Sequence, residues 1–406
     1  MSYLFLKKEL PSESVNIFDN DIDVIYSPEQ SEPLISNGFS NETYSIKDKL
    51  DDTDYQQKLK NNKKYKYMNN DFEHNPPIKY KDYTDINTTI IKQYNIKNKI
   101  VSRSFFKMWE ILKQYDLIDI ANKQFKSFHM AEAPGGFVQA TILYNDMVYN
   151  SSTNSTFFGI SLDNEIKFNN QLNKEYGVGK NRRFFQFKTN KNMNGDLTDL
   201  SVIQFLQNSL TKNEPDLITA DGGFDPLHEN YHEQESYMLI LSEIFTAISL
   251  QKKGGHFICK FLDMYTDVTI KLLYIITSFY NNVEICKPFS SRKSNTERYV
   301  IAKDFKYNKT DKIYINNHKI LQQLFISCKK VSDDNQNIIS IFPEFKIPPI
   351  YRSLIAHFNI DLACIQYTNL FNRFQYFKSS NLKNKSFIKF SKKQEDATNY
   401  WISEYL

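Results

Sequence analysis

Between residues 96 and 306 the chain alternates short β-branched or aromatic runs with longer amphipathic stretches, and no other feature restricts the fold as much. The pattern predicts strands near 127–131, 156–161, 183–187, 216–220, 255–261, 282–287 and 297–303. Helices are predicted at about 101–115, 136–148, 198–209, 233–251 and 266–279. Strands separated by helices imply a mostly parallel sheet covered on both faces. The expected class is therefore α/β, a Rossmann-like core around a seven-stranded, mostly parallel sheet. In such sheets the ligand sits beyond the carboxyl ends of the strands.

Two extensions flank this core. Residues 1–95 are polar and weakly periodic, with an acidic patch at Asp19, Asp21 and Asp23 and a break at Pro76-Pro77. Residues 307–406 read as a mixed, largely helical accessory region. The division is 1–95, 96–306 and 307–406, in keeping with a chain of 406 residues, of which 41% are hydrophobic. A net charge of +4, from 51 basic and 47 acidic residues, is too balanced to diagnose a nucleic-acid ligand by itself. The four cysteines stand far apart, which argues against a zinc ribbon or disulfide framework and for reduced, buried thiols. The first residues hold no apolar run of signal-peptide type, and no stretch reaches the roughly 18 apolar residues of a membrane span. A soluble intracellular protein is expected, in the cytoplasm, the nucleus or, if viral, a viral factory or virion. The Lys-, Asn-, Ile- and Tyr-rich composition would suit a large DNA virus or an AT-rich protist.

The chemistry-bearing residues fall at strand ends. Ala131-Glu132-Ala133-Pro134-Gly135-Gly136-Phe137 follows the strand KSFHM and precedes a helical pattern. Its glycines let the backbone approach a ligand, and the helix start offers free N–H groups, as in a nucleotide-like cofactor loop. Asp163 ends the next strand, where an acid can accept hydrogen bonds from a ribose diol or simply cap a helix. Asp196, in NGDLTD, is placed to meet an adenine or ribose edge, or to close a turn. Asp221 ends DLITAD, Lys260 ends GGHFICK, Glu297 opens the last strand, and Lys107 lies on the helix before the first. Singly each reads as a solvated charge. Two lysines and two acids on one sheet edge beside a cofactor loop read as a site.

The strings AEAPGGF, DLITADGGFD, GGHFICKFLDMYT and SRKSNTERYVIAKDF resemble the FtsJ/RrmJ superfamily of ribose 2′-O-methyltransferases, and within it the cap-specific mRNA enzymes of eukaryotes and large DNA viruses. The resemblance covers about residues 98–306. It implies a methyltransferase core using S-adenosyl-L-methionine and no metal. It also implies a catalytic Lys107-Asp221-Lys260-Glu297 tetrad, and cofactor contacts from Ser102, Arg103, the loop Glu132 to Phe137, Asp163, Asp196 and Leu197. Members of that family usually carry Asn-Arg where this chain has Ser102-Arg103. The implied substrate is RNA, capped mRNA above all, with other capping or transcription proteins as partners. Under this reading Lys260 is the general base, its pKa lowered by burial near Lys107, while Asp221 and Glu297 orient the lysines and the hydroxyl.

Two alternatives stay open: the same reaction on ribosomal or transfer RNA, and a non-catalytic RNA-binding subunit that keeps the fold. His228-Glu229-Asn230-Tyr231-His232 matches the H-E-x-x-H zinc pattern, but it follows a Pro226 loop instead of lying within a helix. The segment from Arg373 to Lys393 interleaves basic and aromatic residues. It would suit RNA, or a packed helix with solvated lysines.

Overall fold

The computed structural model describes residues 6–11, 15–35, 37–50, 100–119, 124–148, 154–162, 167–177, 182–187, 194–223, 231–378 and 384–406. Five strands run parallel, with β5 at one edge of the sheet: β3 (Lys126–Met130), β4 (Thr156–Ile160), β5 (Phe184–Gln186), β6 (Leu217–Ala220) and β7 (His256–Phe261). Beyond β7 the sheet continues antiparallel through β9 (Arg298–Phe305), β8 (Tyr280–Lys287) and β1 (Leu6–Leu10). The spatial order is β1-β8-β9-β7-β6-β3-β4-β5. Central strands are buried on both faces, as Phe128, Met130, Ile218 and Ile258 show, so their sequences are apolar runs with little alternation.

Helices cover each face. On one lie α5 (Leu200–Leu210), α7 (Tyr237–Leu250) and α8 (Asp267–Phe279), joined to α9 (Lys312–Asp333) in one apolar cluster. On the other lie α2 (Ser104–Tyr115), α3 (Gly136–Val148) and the C-terminal α11 (Asn384–Tyr405). The short α4 (Asn170–Tyr176) follows β4. The expected helix at 233–251 divides into α6 (His232–Glu235) and α7. Ser236 stands between them, and its hydroxyl donates to the Glu233 carbonyl at 2.7 Å.

The seven strands read from the pattern are all present, and an eighth, β1, comes from the N-terminal extension. Its sequence, LKKEL, does not alternate and gave no strand signal. As the sheet's edge it needs only one partner, and its lysines and glutamate discourage further pairing. The extensions meet again where β2 (Val24–Ser27) pairs with β10 (Asn337–Ile341). They meet also where α1 (Asn37–Leu50) packs on α10 (Pro349–Lys378) through Ile46, Leu50 and Leu370. The thiols of Cys259, Cys286 and Cys328 are buried as expected; Cys364 is exposed, because it lies on the outer side of α10. Among the described residues no helix is long and apolar enough to cross a membrane.

Candidate active site

The site forms where β6 and β7 end and the antiparallel β9 begins. The parallel register sets Ala220 beside Cys259, so Asp221, the next residue, stands beside Lys260. The antiparallel register sets Lys260 directly opposite Tyr299. Glu297 lies two residues before Tyr299 and shares its side of the strand. Lys107 reaches in from α2.

The polar contacts form one chain. Lys260 Nζ donates to the Asp221 carbonyl at 2.9 Å and lies 3.3 Å from its carboxylate Oδ1. The Tyr299 hydroxyl donates to the same Oδ1 at 3.0 Å. Lys107 Nζ donates to the Tyr299 hydroxyl at 3.4 Å and pairs with Glu297 Oε2 at 2.7 Å. Ser291 Oγ donates to the other Glu297 oxygen at 2.8 Å. Only 12–15% of the side-chain surface of these four charged residues is exposed, so their charges interact through protein more than through water.

Anchors behind this row fix it. Glu110, one turn after Lys107, is buried and accepts from the Phe289 and Ser290 amides at 2.6 and 2.9 Å and from Trp401 Nε1 at 2.8 Å. One helix therefore supplies Lys107 and also holds the loop leading to Glu297. Lys287 spans that loop, donating to the Glu297 carbonyl at 2.7 Å and to Asn295 Oδ1 at 2.8 Å. Its burial lowers its pKa to about 7 against the opposing pull of Glu297. Beneath Asp221 the buried Glu243 accepts the Gly222 amide at 3.1 Å.

The cofactor-type loop packs against the start of α2. Gly135 has φ +107, a conformation that favours glycine. A Cβ on Gly136 would lie 2.1 and 2.2 Å from Ser104 Oγ and Ser102 Oγ, so only glycine fits there. Ser102 Oγ lies 2.6 Å from Ser104 Oγ, and Arg103 is the residue before the first turn of α2. Glu132 is buried; one oxygen accepts the Phe137 amide at 3.0 Å, and the other, Oε1, has no partner among the described residues. Burial first, and then the charge of Asp221, raises the Glu132 pKa well above the usual carboxylate range. Phe137 is buried with its ring 5.8 Å from that of Tyr299.

Alongside runs a cleft of about 610 Å³, lined by Ala133, Asp196, Leu197, Gly222 and Gly223 among others. That size suits a nucleotide-like small molecule. Pro134 is half-buried beside it in the loop. Asp196 both lines the cleft and closes a turn by accepting the Thr198 amide at 2.9 Å. Asp163 lies outside the described residues, as do His228 and Glu229 of the H-E-x-x-H string. His232 opens α6, and among the described residues no group of three or more His, Cys, Asp or Glu is placed to hold a metal ion.

The sequence matches the family model described as FtsJ-like methyltransferase over residues 100–305, half of its 406 residues. The chain belongs to the FtsJ-like methyltransferase family. It is 26% identical over 305 residues to an uncharacterized protein of Acanthamoeba polyphaga mimivirus, covering 72% of this chain and 38% of that one. It is 26% identical over 284 residues to cap-specific mRNA (nucleoside-2′-O-)-methyltransferase 2 of Drosophila melanogaster, covering 68% and 38%. A stretch of 117 residues is 36% identical to cap-specific mRNA (nucleoside-2′-O-)-methyltransferase 1 of Homo sapiens, covering 28% and 14%. The chain thus spans 38% of the length of the first two relatives and less of the third.

In this FtsJ-like methyltransferase the electrostatics depart from one expectation. Lys260 has a raised pKa, not a lowered one. Burial pulls it down, but Asp221, Glu297 and Glu243 together outweigh burial. The expectation counted Lys107 as a repulsive neighbour, yet Lys107 is paired to Glu297. Burial alone would raise the Glu297 pKa; Lys107, Lys260 and Lys287 overcome that and bring it to about 2. Tyr299, Ser291, Lys287 and Glu243 were not read from the sequence. Only Tyr299 had a usable signal, its two-residue spacing from Glu297 on one strand.

Proposed function

We propose that this methyltransferase transfers a methyl group from S-adenosyl-L-methionine to a ribose 2′-hydroxyl of RNA, at the cap-proximal nucleotide of mRNA. The observation that carries the reading is the continuous row Lys260–Asp221–Tyr299–Lys107–Glu297 at the sheet edge beside the cleft. The catalytic unit is residues 96–306, and the flanking zones are accessory. The cap-specific names of the fly and human relatives support the choice of substrate.

The residues present fit the cofactor. Glu132 Oε1 is a buried polar oxygen with no partner among the described residues, and Gly136 lets the loop approach closely. A Cβ on Gly223 would sit 2.9 Å from Lys260 Nζ, so glycine keeps the space in front of that amine open. When bound, the sulfonium of S-adenosylmethionine supplies the methyl group and its own leaving group. The protein holds the hydroxyl in line with it, and much of the rate comes from that alignment.

Lys260 takes the hydroxyl proton. The facing carboxylates favour its ammonium form in the ligand-free protein, so it accepts only after losing that proton. Each positive charge brought alongside lowers its pKa and promotes that loss. Lys107, held by Glu297, orients the hydroxyl oxygen.

The test is methyl transfer from labelled S-adenosylmethionine to a short capped RNA, to its uncapped form, and to capped RNA already 2′-O-methylated on the first nucleotide. Label on the first that vanishes on the third is the expected result. Equal label on capped and uncapped RNA would move the target to another ribose. Cofactor binding without transfer to any RNA would overturn catalysis and favour an RNA-binding role.

A further inference from the structure

The region that matches the family does not close the cleft alone. Its far wall is the last turn of α9, where Lys329, Ser332 and Asp333 line it. That turn also borders a second recess of about 570 Å³ beside the loop before α5. Asp196, Thr198, Lys329 and Asp333 line both spaces, so the two adjoin at this turn. α9 is firmly mounted: the Phe325 ring lies 5.3 Å from that of Phe245 on α7, and His318 Nε2 is 2.8 Å from Ser249 Oγ.

Two observations point to a ligand at this turn. Asp333 is the final residue of α9, where the negative end of the helix dipole disfavours a carboxylate even though the Lys330, Val331 and Ser332 carbonyls accept backbone amides. Lys329 pairs with it, yet Asp333 keeps 61% of its side-chain surface exposed and Lys329 32%, and both face the cleft. The direction of the cleft supplies the rest. The reacting methyl must lie at the Lys260 end, by Gly222 and Gly223. The recess shares Asp196 and Thr198 with the cleft but not Gly222 or Gly223, so it adjoins the part of the cleft away from Lys260.

We propose that Lys329 and Asp333 bind the nucleoside end of the methyl donor, so that the accessory C-terminal region completes the cofactor pocket. The proposal rests on the S-adenosylmethionine reading above. Asp333 accepts hydrogen bonds from the ribose hydroxyls or the adenine amino group, and Lys329 donates to an oxygen or ring nitrogen.

Calorimetric titration of the full chain with S-adenosylhomocysteine, and separately with adenosine, tests this in the wild type, Lys329→Ala and Asp333→Asn. Each variant is expected to weaken both ligands by about 10-fold, the loss of one charge-assisted hydrogen bond. The KM for S-adenosylmethionine should rise by the same factor. Wild-type binding that both variants retain within about twofold would overturn the proposal and leave the cofactor reading standing. Weakening of S-adenosylhomocysteine with adenosine unaffected would overturn the nucleoside assignment. A wild type that binds neither ligand would overturn the cofactor reading itself, and this proposal with it.

Discussion

At the residue scale, Tyr299 is the hinge of the charged row, because its hydroxyl touches both Lys107 and Asp221. Tyr299→Phe keeps the ring against Phe137 and removes those contacts. A hydrogen bond to a charged partner contributes about 1.5–3 kcal/mol, so methyl transfer should fall roughly 10- to 100-fold with cofactor binding retained. Lys260→Ala should cost about 10²–10⁴-fold in rate, the usual contribution of a proton acceptor, and wild-type turnover in that variant would remove Lys260 from the mechanism. Glu243 yields a pH prediction. Burial, reinforced by Asp221 and opposed by Lys260, raises its pKa from 4.5 to about 8. Between those values the folded protein binds a proton that the unfolded chain has released, so Glu243 makes stability fall as pH rises through that window. Glu243→Gln still accepts the Gly222 amide and should flatten the decline. Melting temperatures of both proteins at pH 5 and pH 8.5 check this; parallel declines would show that another group is responsible. The charged residues of the row were legible in the sequence because charged side chains at strand ends are conspicuous. Glu243 was not, since a lone acid in the apolar helix YMLILSEIFTAISL shows nothing of what it faces.

At the element scale, helix α2 couples two parts of the fold. It presents Lys107 to the site, and its buried Glu110 binds the loop before β9 and the indole of Trp401 on α11. The sequence predicts α2 by its apolar periodicity and cannot predict that its one buried acid is a crosslink. Trp401→Phe removes one of three donors from Glu110 and should destabilise the protein by about 1–3 kcal/mol in urea unfolding. Trp401→Ala adds a cavity and should cost more, about 3–5 kcal/mol. Equal stability of all three proteins would show that α11 does not brace α2. The parallel strands were legible as apolar runs bounded by turns. β1 was not, because an edge strand of charged residues lacks both alternation and apolar content.

At the scale of the whole molecule, the extensions share the core's structure. β1 extends the main sheet along β8, β2 pairs with β10, α1 packs on α10, and α11 covers the face that holds Trp109 and Phe125. A fragment of residues 96–306 would expose the β8 edge and the apolar surface under α11. It should aggregate, or lose its cooperative thermal transition, where the full chain melts as one unit; a soluble fragment with an unchanged melting temperature would contradict this. Because the net charge is only +4, any RNA affinity must come from a local concentration of basic residues.

The sequence by itself determined the sheet's class, the positions of seven strands and the residues at their carboxyl ends, because hydrophobic periodicity and glycine placement are local properties. Only the tertiary structure decided which neighbours those residues meet. The registers set Tyr299 opposite Lys260, α2 brings Lys107 to Glu297, and the carboxylates around Lys260 reverse the pKa direction that burial alone implies. Charge interactions depend on distances between residues far apart in the chain, and neither period nor spacing encodes those distances.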